Sequence, residues 1–174
     1  MDYFISEATP ADSVEISALV NSAYRGDSSR QGWTTEADYL DGQRTSPEDL
    51  KKQLSHSTIL TLRENAAAEI LATVSLERIN ADEFYLGMLT VKPTLQARGV
   101  GRVLLESAED FARARGAKRM ILRVVHVREA LIAWYLRRGY TKTGETDPFP
   151  YGDEKFGLPK VEGLYFERFK KELD

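Results

Sequence analysis

The residues best suited to chemistry lie in one stretch, Leu89-Thr90-Val91-Lys92-Pro93-Thr94-Leu95-Gln96-Ala97-Arg98-Gly99-Val100-Gly101-Arg102. A strand-like apolar run stops at Lys92-Pro93, and a loop with two glycines then opens onto a helical pattern. The first N–H groups of a helix have no partner inside it. They point outward together, and the helix dipole adds partial positive charge, so such a place suits a phosphate or diphosphate. Gly99 and Gly101 permit positive φ and close approach of a ligand to the backbone, and Arg98 and Arg102 add cations beside them. A tight strand-to-helix turn with no ligand has the same spacing. Two other glycine loops do not fit. A P-loop needs Lys and then Ser or Thr after its last glycine, where this chain has Arg102-Val103; a dinucleotide fingerprint needs a small residue three places after the second glycine, where it has Leu104.

A strand and a helix must hold this loop, and the surrounding pattern supplies both. Phe84–Val91 is nearly continuous in apolar residues, as for a strand buried on both faces. Val100, Val103, Leu104, Ala108, Phe111 and Ala112 recur at helical spacing up to a C-cap at Gly116. Upstream, Tyr3–Ala8 reads as a strand, and Thr9-Pro10 opens a helix whose apolar face holds Val14, Ile16, Leu19, Val20 and Ala23. Ser46-Pro47-Glu48-Asp49 starts a second helix, ending near Leu54. Thr58–Leu62 and Ile70–Ile79 complete an antiparallel meander with Phe84–Val91. Downstream come a strand Met120–Val125, a short helix Glu129–Arg138 ending at Gly139, a strand from Tyr140, and a closing strand Leu164–Lys170. The unit Phe84–Val125 is a strand–helix–strand crossover of the parallel kind. The fold class expected is α+β: a mixed sheet of six or seven strands, an antiparallel N-terminal meander, a parallel central crossover and helices on both faces.

Gln96-x-x-Gly99-x-Gly101 after Leu89-x-Val91-x-Pro93, joined by Tyr135-x-x-x-Gly139-Tyr140, resembles the acyl-CoA-binding signature of the GNAT superfamily of N-acyltransferases. The likeness runs from Phe84 to Gly144 and implies one N-acetyltransferase domain over residues 1–174. It implies that backbone amides of Gln96, Ala97, Arg98, Gly99, Val100 and Gly101, with Arg102, hold the diphosphate of acetyl-CoA. It implies that Leu89, Thr90 and Val91 pair with the pantetheine arm, and that a main-chain N–H of this strand polarises the thioester carbonyl. Tyr135 corresponds to the tyrosine that protonates the departing thiolate, a role a phenol near an anionic sulfur can fill; plain packing of Trp134-Tyr135 on the sheet is the other reading. Two positions depart from the pattern. Relatives often have an asparagine where this chain has Arg128, which could reach a phosphate instead, and a glutamate base where it has Gly87. Glu83, Glu77, Glu36 and a water chain remain open as routes for the amine's proton.

The acceptor side of the resemblance falls on Gly32–Thr45, where Trp33 and nearby acids, Glu36 among them, suit a cationic amine. Asp147-Pro148-Phe149-Pro150-Tyr151 reads as a stiff aromatic loop, either pocket wall or packing. His56 and His126 are isolated, and no metal-ligand constellation accompanies them. At 174 residues, 42% hydrophobic and 29% charged, the chain has the size and mix of one ordinary globular domain. It has no cysteine, so no thiol nucleophile and no disulfide framework. The net charge of −3 hides a block, residues 96–142, with a net charge of +7. A positive block in an acidic chain suits an anionic ligand better than a nucleic acid. No membrane segment or secretory signal is visible, and a cytoplasmic location is the expectation. The reading is an acetyl-CoA-dependent transferase acting on a small-molecule or peptide amine by direct attack. A non-catalytic acyl-CoA-binding module stays open because of Gly87 and Arg128, and the aromatic C-terminal part could form a homodimer edge.

Overall fold

Local sequence rules account for the first half of the chain, as seen in a computed structural model that describes residues 2–25, 35–37, 40–151 and 158–174. Strand β1 (Phe4–Glu7) leads into a short turn, Pro10–Asp12, where the Thr9 N–H donates to Asp12 Oδ2 at 2.9 Å. Helix α1 (Ser13–Tyr24) buries Ile16, Leu19, Val20 and Ala23, while Val14 faces solvent rather than joining the apolar face. After the two-residue strand β2 (Leu40–Asp41) comes α2 (Pro47–Leu54), with Ser46 Oγ accepting the Asp49 N–H. Strands β3 (Thr58–Arg63), β4 (Ala72–Arg78) and β5 (Glu83–Val91) form the expected antiparallel meander. Helix α3 (Val100–Ala114) crosses to β6 (Arg119–Val125), which runs parallel to β5. Then follow α4 (Glu129–Arg137), β7 (Thr141–Pro148), β8 (Leu158–Pro159) and β9 (Tyr165–Glu172).

The main sheet has the order β1-β3-β4-β5-β6-β9-β7, and β2 pairs with β8 apart from it. The last strand does not close the sheet at an edge; it inserts between β6 and β7, antiparallel to both. β7 is also longer than expected and takes in Asp147 and Pro148. Helices α3 and α4 pack on one face with Leu60, Leu62, Phe84 and Leu86, and α1 and α2 pack on the other with Ile59 and Met88. Among the described residues, no helix is long and apolar enough to cross a membrane.

β5 departs from the continuous burial expected of it. Its side chains alternate between buried and half-buried, and the half-buried Tyr85, Gly87 and Leu89 line a cavity. It also carries a bulge. Thr73–Ser75 of β4 faces Gly87–Thr90 of β5, one residue more on β5, and Met88 there has φ +55°. A bulge shifts the side-chain alternation by one. Phe84 and Leu86 point to the α3 side, Met88 points to the α1 side, and Val91 returns to the α3 side. β5 and β6 pair only over Glu83–Tyr85 and Arg119–Ile121; beyond these residues they separate.

Candidate active site

The loop leaving β5 keeps its donors open. α2 has a capping serine and acids in its first turn, whereas α3 has neither a capping side chain nor an acid there. Gly99 occupies the cap position with φ +83°, and Ala97 has φ +65°. Among the described residues, no protein acceptor takes any backbone N–H from Gln96 to Arg102. Gln96 braces the loop, its Nε2 donating to the Val91 carbonyl at 3.1 Å, while its buried Oε1 has no partner. The two glycines serve different ends. A Cβ on Gly99 would enter open space, so only its backbone angle favours glycine. A Cβ on Gly101 would come within 3.3 Å of Val91 Cγ2, so that glycine lets α3 sit close against β5.

These donors edge a cleft of about 430 Å³. Leu89, Val91, Leu131 and Trp134 give it an apolar wall, and Arg102, Arg137 and Arg138 supply cations. Arg138 lies over the Trp134 ring at 5.4 Å. Arg102 holds Glu106 at 3.0 Å, an exposed pair that costs little to open. Open amides with arginines at one end and an apolar trough leading away fit the diphosphate and pantetheine of coenzyme A.

Leu89 and Leu131 also line an inner pocket of about 120 Å³, in the gap where β5 and β6 part. The Tyr24 hydroxyl donates to the Leu89 carbonyl at 2.9 Å. Tyr135 from α4 is buried, its ring edge-on to Trp134 and Tyr140, and its hydroxyl has no protein hydrogen-bond partner among the described residues. Burial, reinforced by the nearby Tyr24, pushes the Tyr135 phenol well above its ordinary pKa. Glu36 lies across the pocket. Its Oε1 meets Arg25 Nη2 at 2.9 Å and its Oε2 meets Arg128 Nη1 at 3.1 Å. Burial alone would raise this carboxyl, but Arg128, Arg25 and Arg44 together hold it below the ordinary carboxylate value. Arg44 lies over the Tyr24 ring at 5.5 Å, and Arg123 Nε donates to the Tyr85 hydroxyl at 3.2 Å.

The acetyltransferase (GNAT) family model matches residues 15–140 of this chain. The chain belongs to the GNAT family. Streptothricin acetyltransferase of Streptomyces lavendulae is 41% identical over 56 residues, 32% of this chain and 30% of that protein. IAA acetyltransferase of Azospirillum brasilense is 38% identical over 69 residues, 39% of this chain and 43% of that protein. The matched segment thus spans less than half of either curated relative. Among solved structures, yncA of Salmonella typhimurium, determined with its cofactor acetyl-CoA, superposes with a TM-score of 0.70 at 21% identity, covering all of this chain and 95% of that one.

Within this GNAT fold the sequence-derived candidates divide. Leu89, Val91, Gln96, Ala97, Gly99, Gly101 and Arg102 border the cleft, and Tyr135 lies behind it in the inner pocket. Thr90 is buried and its Oγ1 donates to the Met88 carbonyl; Val100 is buried in the core, and Arg98 is exposed on the loop. Arg128, expected at a phosphate, lines the inner pocket and not the cleft, and its Nη1 meets Glu36 Oε2. Glu83 stands where β5 begins, at the end of the strand away from the phosphate loop, bound by Arg119 at 3.1 Å and Asn80 at 2.8 Å. Two donors on its carboxylate, Asn80 first and then Arg119, hold its pKa down. Glu77 lies 3.3 Å from His56 Nδ1 on the surface. Glu36 does reach the pocket, though as the partner of two arginines and not as a free acid. Trp33 lies outside the described residues. Phe149 is a pocket wall, while Tyr151 is exposed and donates to the Val161 carbonyl. Tyr24, Arg25, Arg44 and Arg123 had no sequence signal, because they come from the end of α1, the segment before α2, and β6, and share no spacing with the loop.

Proposed function

We propose that this GNAT protein transfers an acetyl group from acetyl-CoA to a primary amine by direct attack in a ternary complex. The observation that carries this reading is the open row of N–H groups from Gln96 to Arg102, at the edge of a cleft that shares Leu89 and Leu131 with the pocket of Tyr135. Acetyl-CoA supplies an activated acyl carbon and a thiolate leaving group. The loop amides with Arg102 bind the diphosphate, and the trough of Leu89, Val91, Leu131 and Trp134 orients the arm toward the inner pocket. The Tyr135 phenol, kept protonated by burial, donates a hydrogen bond to the sulfur as negative charge develops on it. No cysteine is available to carry the acyl group, which favours direct transfer.

The amine must attack as its neutral form. A carboxylate held ionised by two guanidinium groups is a weak base, so Glu36 anchors the pocket and water takes the proton. The arginines contribute indirectly, since nearby positive charge disfavours an ammonium ion and releases its proton more readily. The test is thiol release from acetyl-CoA across a panel of primary amines, alongside calorimetry with coenzyme A. Amine-dependent release is expected, with Tyr135→Phe lowering kcat by about a hundredfold or more and changing coenzyme A affinity little. No coenzyme A binding at millimolar ligand would overturn the transferase reading, and an unchanged kcat in Tyr135→Phe would remove the role of the phenol.

A further inference from the structure

Resting on that transferase reading, we infer that the acceptor amine carries an anionic group of its own, recognised by Arg44 and Arg123 in the inner pocket. Among the described residues the pocket wall holds four guanidinium groups, from Arg25, Arg44, Arg123 and Arg128, against the one carboxylate of Glu36. Both Glu36 oxygens are already taken by Arg25 and Arg128. The remaining two arginines are poorly neutralised. Arg123 comes no nearer than 3.9 Å to Asp147, which Arg168 grips with two bonds of 2.8 and 3.0 Å. Among the described residues the half-buried Arg44 side chain makes no ion pair or hydrogen bond; it lies over the face of Tyr24 and feels the Glu36 carboxylate only at longer range.

Removing guanidinium groups from water without a counter-charge is unfavourable, and the planar N–H fork matches a carboxylate or a phosphonate. The Tyr24 ring under Arg44 carries the hydroxyl bound to the Leu89 carbonyl, so this cation is fixed next to the point where the cleft and the inner pocket meet. A purely cationic amine would meet four guanidinium groups here and one carboxylate whose two oxygens are already bound. The volume, about 120 Å³, lies well below the 300–1,000 Å³ of pockets for drug-sized ligands, so the acceptor is compact, of the size of an amino acid.

The experiment compares L-leucine with L-leucinamide, L-methionine with L-methioninamide, and glycine with aminomethylphosphonate as acceptors for the intact protein. The readout is thiol release, with acetyl-CoA affinity measured in parallel. The free acids are expected to exceed their amides in kcat/KM, against the chemical bias, since the amide's amine is the less protonated of each pair. Arg44→Gln should lower kcat/KM for the acids by about tenfold to a hundredfold, mainly through KM, and lower it far less for the amides, which lose only the general effect of the cation on the amine's proton. Arg44→Lys should restore part of the loss. The phosphonate arm separates general anion recognition from a fit to carboxylate alone. Amides used as well as acids, an equal effect of Arg44→Gln on both, or no turnover of any acid while acetyl-CoA binds would each overturn the inference. Failure to bind acetyl-CoA would instead overturn the transferase reading, and this inference with it.

Discussion

Glu36 joins two parts of the chain that are 92 residues apart, the segment before β2 and the start of α4. Its ionised form is stabilised by Arg128 and Arg25, and those arginines are themselves buried and depend on it for compensation. Removing one member of such a group leaves uncompensated buried charge, so Glu36→Gln should destabilise the protein by about 3–5 kcal/mol at neutral pH. The pH dependence has a definite sign. The folded-state pKa lies below the ordinary 4.5, so the contribution is complete above that value and is lost as the pH falls through the lower folded value. Urea unfolding at neutral pH should therefore show the full gap between wild type and Glu36→Gln, and unfolding at a pH of about 3 a smaller one. A gap that stays constant or grows on acidification would mean that the carboxylate is not held by its arginines.

At the scale of elements, α3 and β5 meet through Gly101, whose missing side chain sets their distance. Gly101→Val would press a branched group into Val91 and toward Trp134 Cζ2, 3.7 Å from an ideal Cβ. Overpacking of this kind costs about 1–3 kcal/mol, and here it would also tilt the open amides. Calorimetry should find coenzyme A binding weakened by at least about tenfold, and binding unchanged would show that the helix start does not hold the ligand. The loop and its flanking strand and helix were legible in the sequence because glycine, proline and apolar spacing are local signals: Pro93 ends the strand, Gly99 takes the left-handed angle, and Val100, Leu104 and Ala108 mark the buried helix face. The bulge was not legible. Nothing in the residue type of Met88 announces φ +55°, and the parity switch it causes decides which side chains face the cavity. The insertion of β9 between β6 and β7 rests on long-range pairing, as does the meeting of Glu36 with Arg128. Position along β5 suggested Glu83 as a base, yet a strand end says nothing of which end borders the cavity, and Glu83 is at the other one.

For the molecule as a whole, the basic block in the sequence has two uses. Some of its cations are structural: Arg113 pairs with Asp110, and Arg119 with Glu83 and Glu172. Others, Arg102, Arg137 and Arg138, border the cleft, while Arg123 and Arg128 border the inner pocket. A chain of net charge −3 thus gathers positive potential where a polyanionic ligand would bind, which is the distribution that steers and holds such a ligand against the overall charge. A ligand bound only by the folded state stabilises it by about 2.7 kcal/mol at a hundred times its Kd. In a protein of this size each kcal/mol moves Tm by about 2–4 °C, so saturating coenzyme A should raise Tm by about 5–11 °C. Because the cleft's cations are partly exposed, raising salt from about 0.05 M to 0.5 M should shrink the shift at a fixed coenzyme A concentration. Dephospho-coenzyme A, with less negative charge, should give a smaller shift that is less sensitive to salt. A shift indifferent to both changes would mean that the cations of the cleft add little to the affinity.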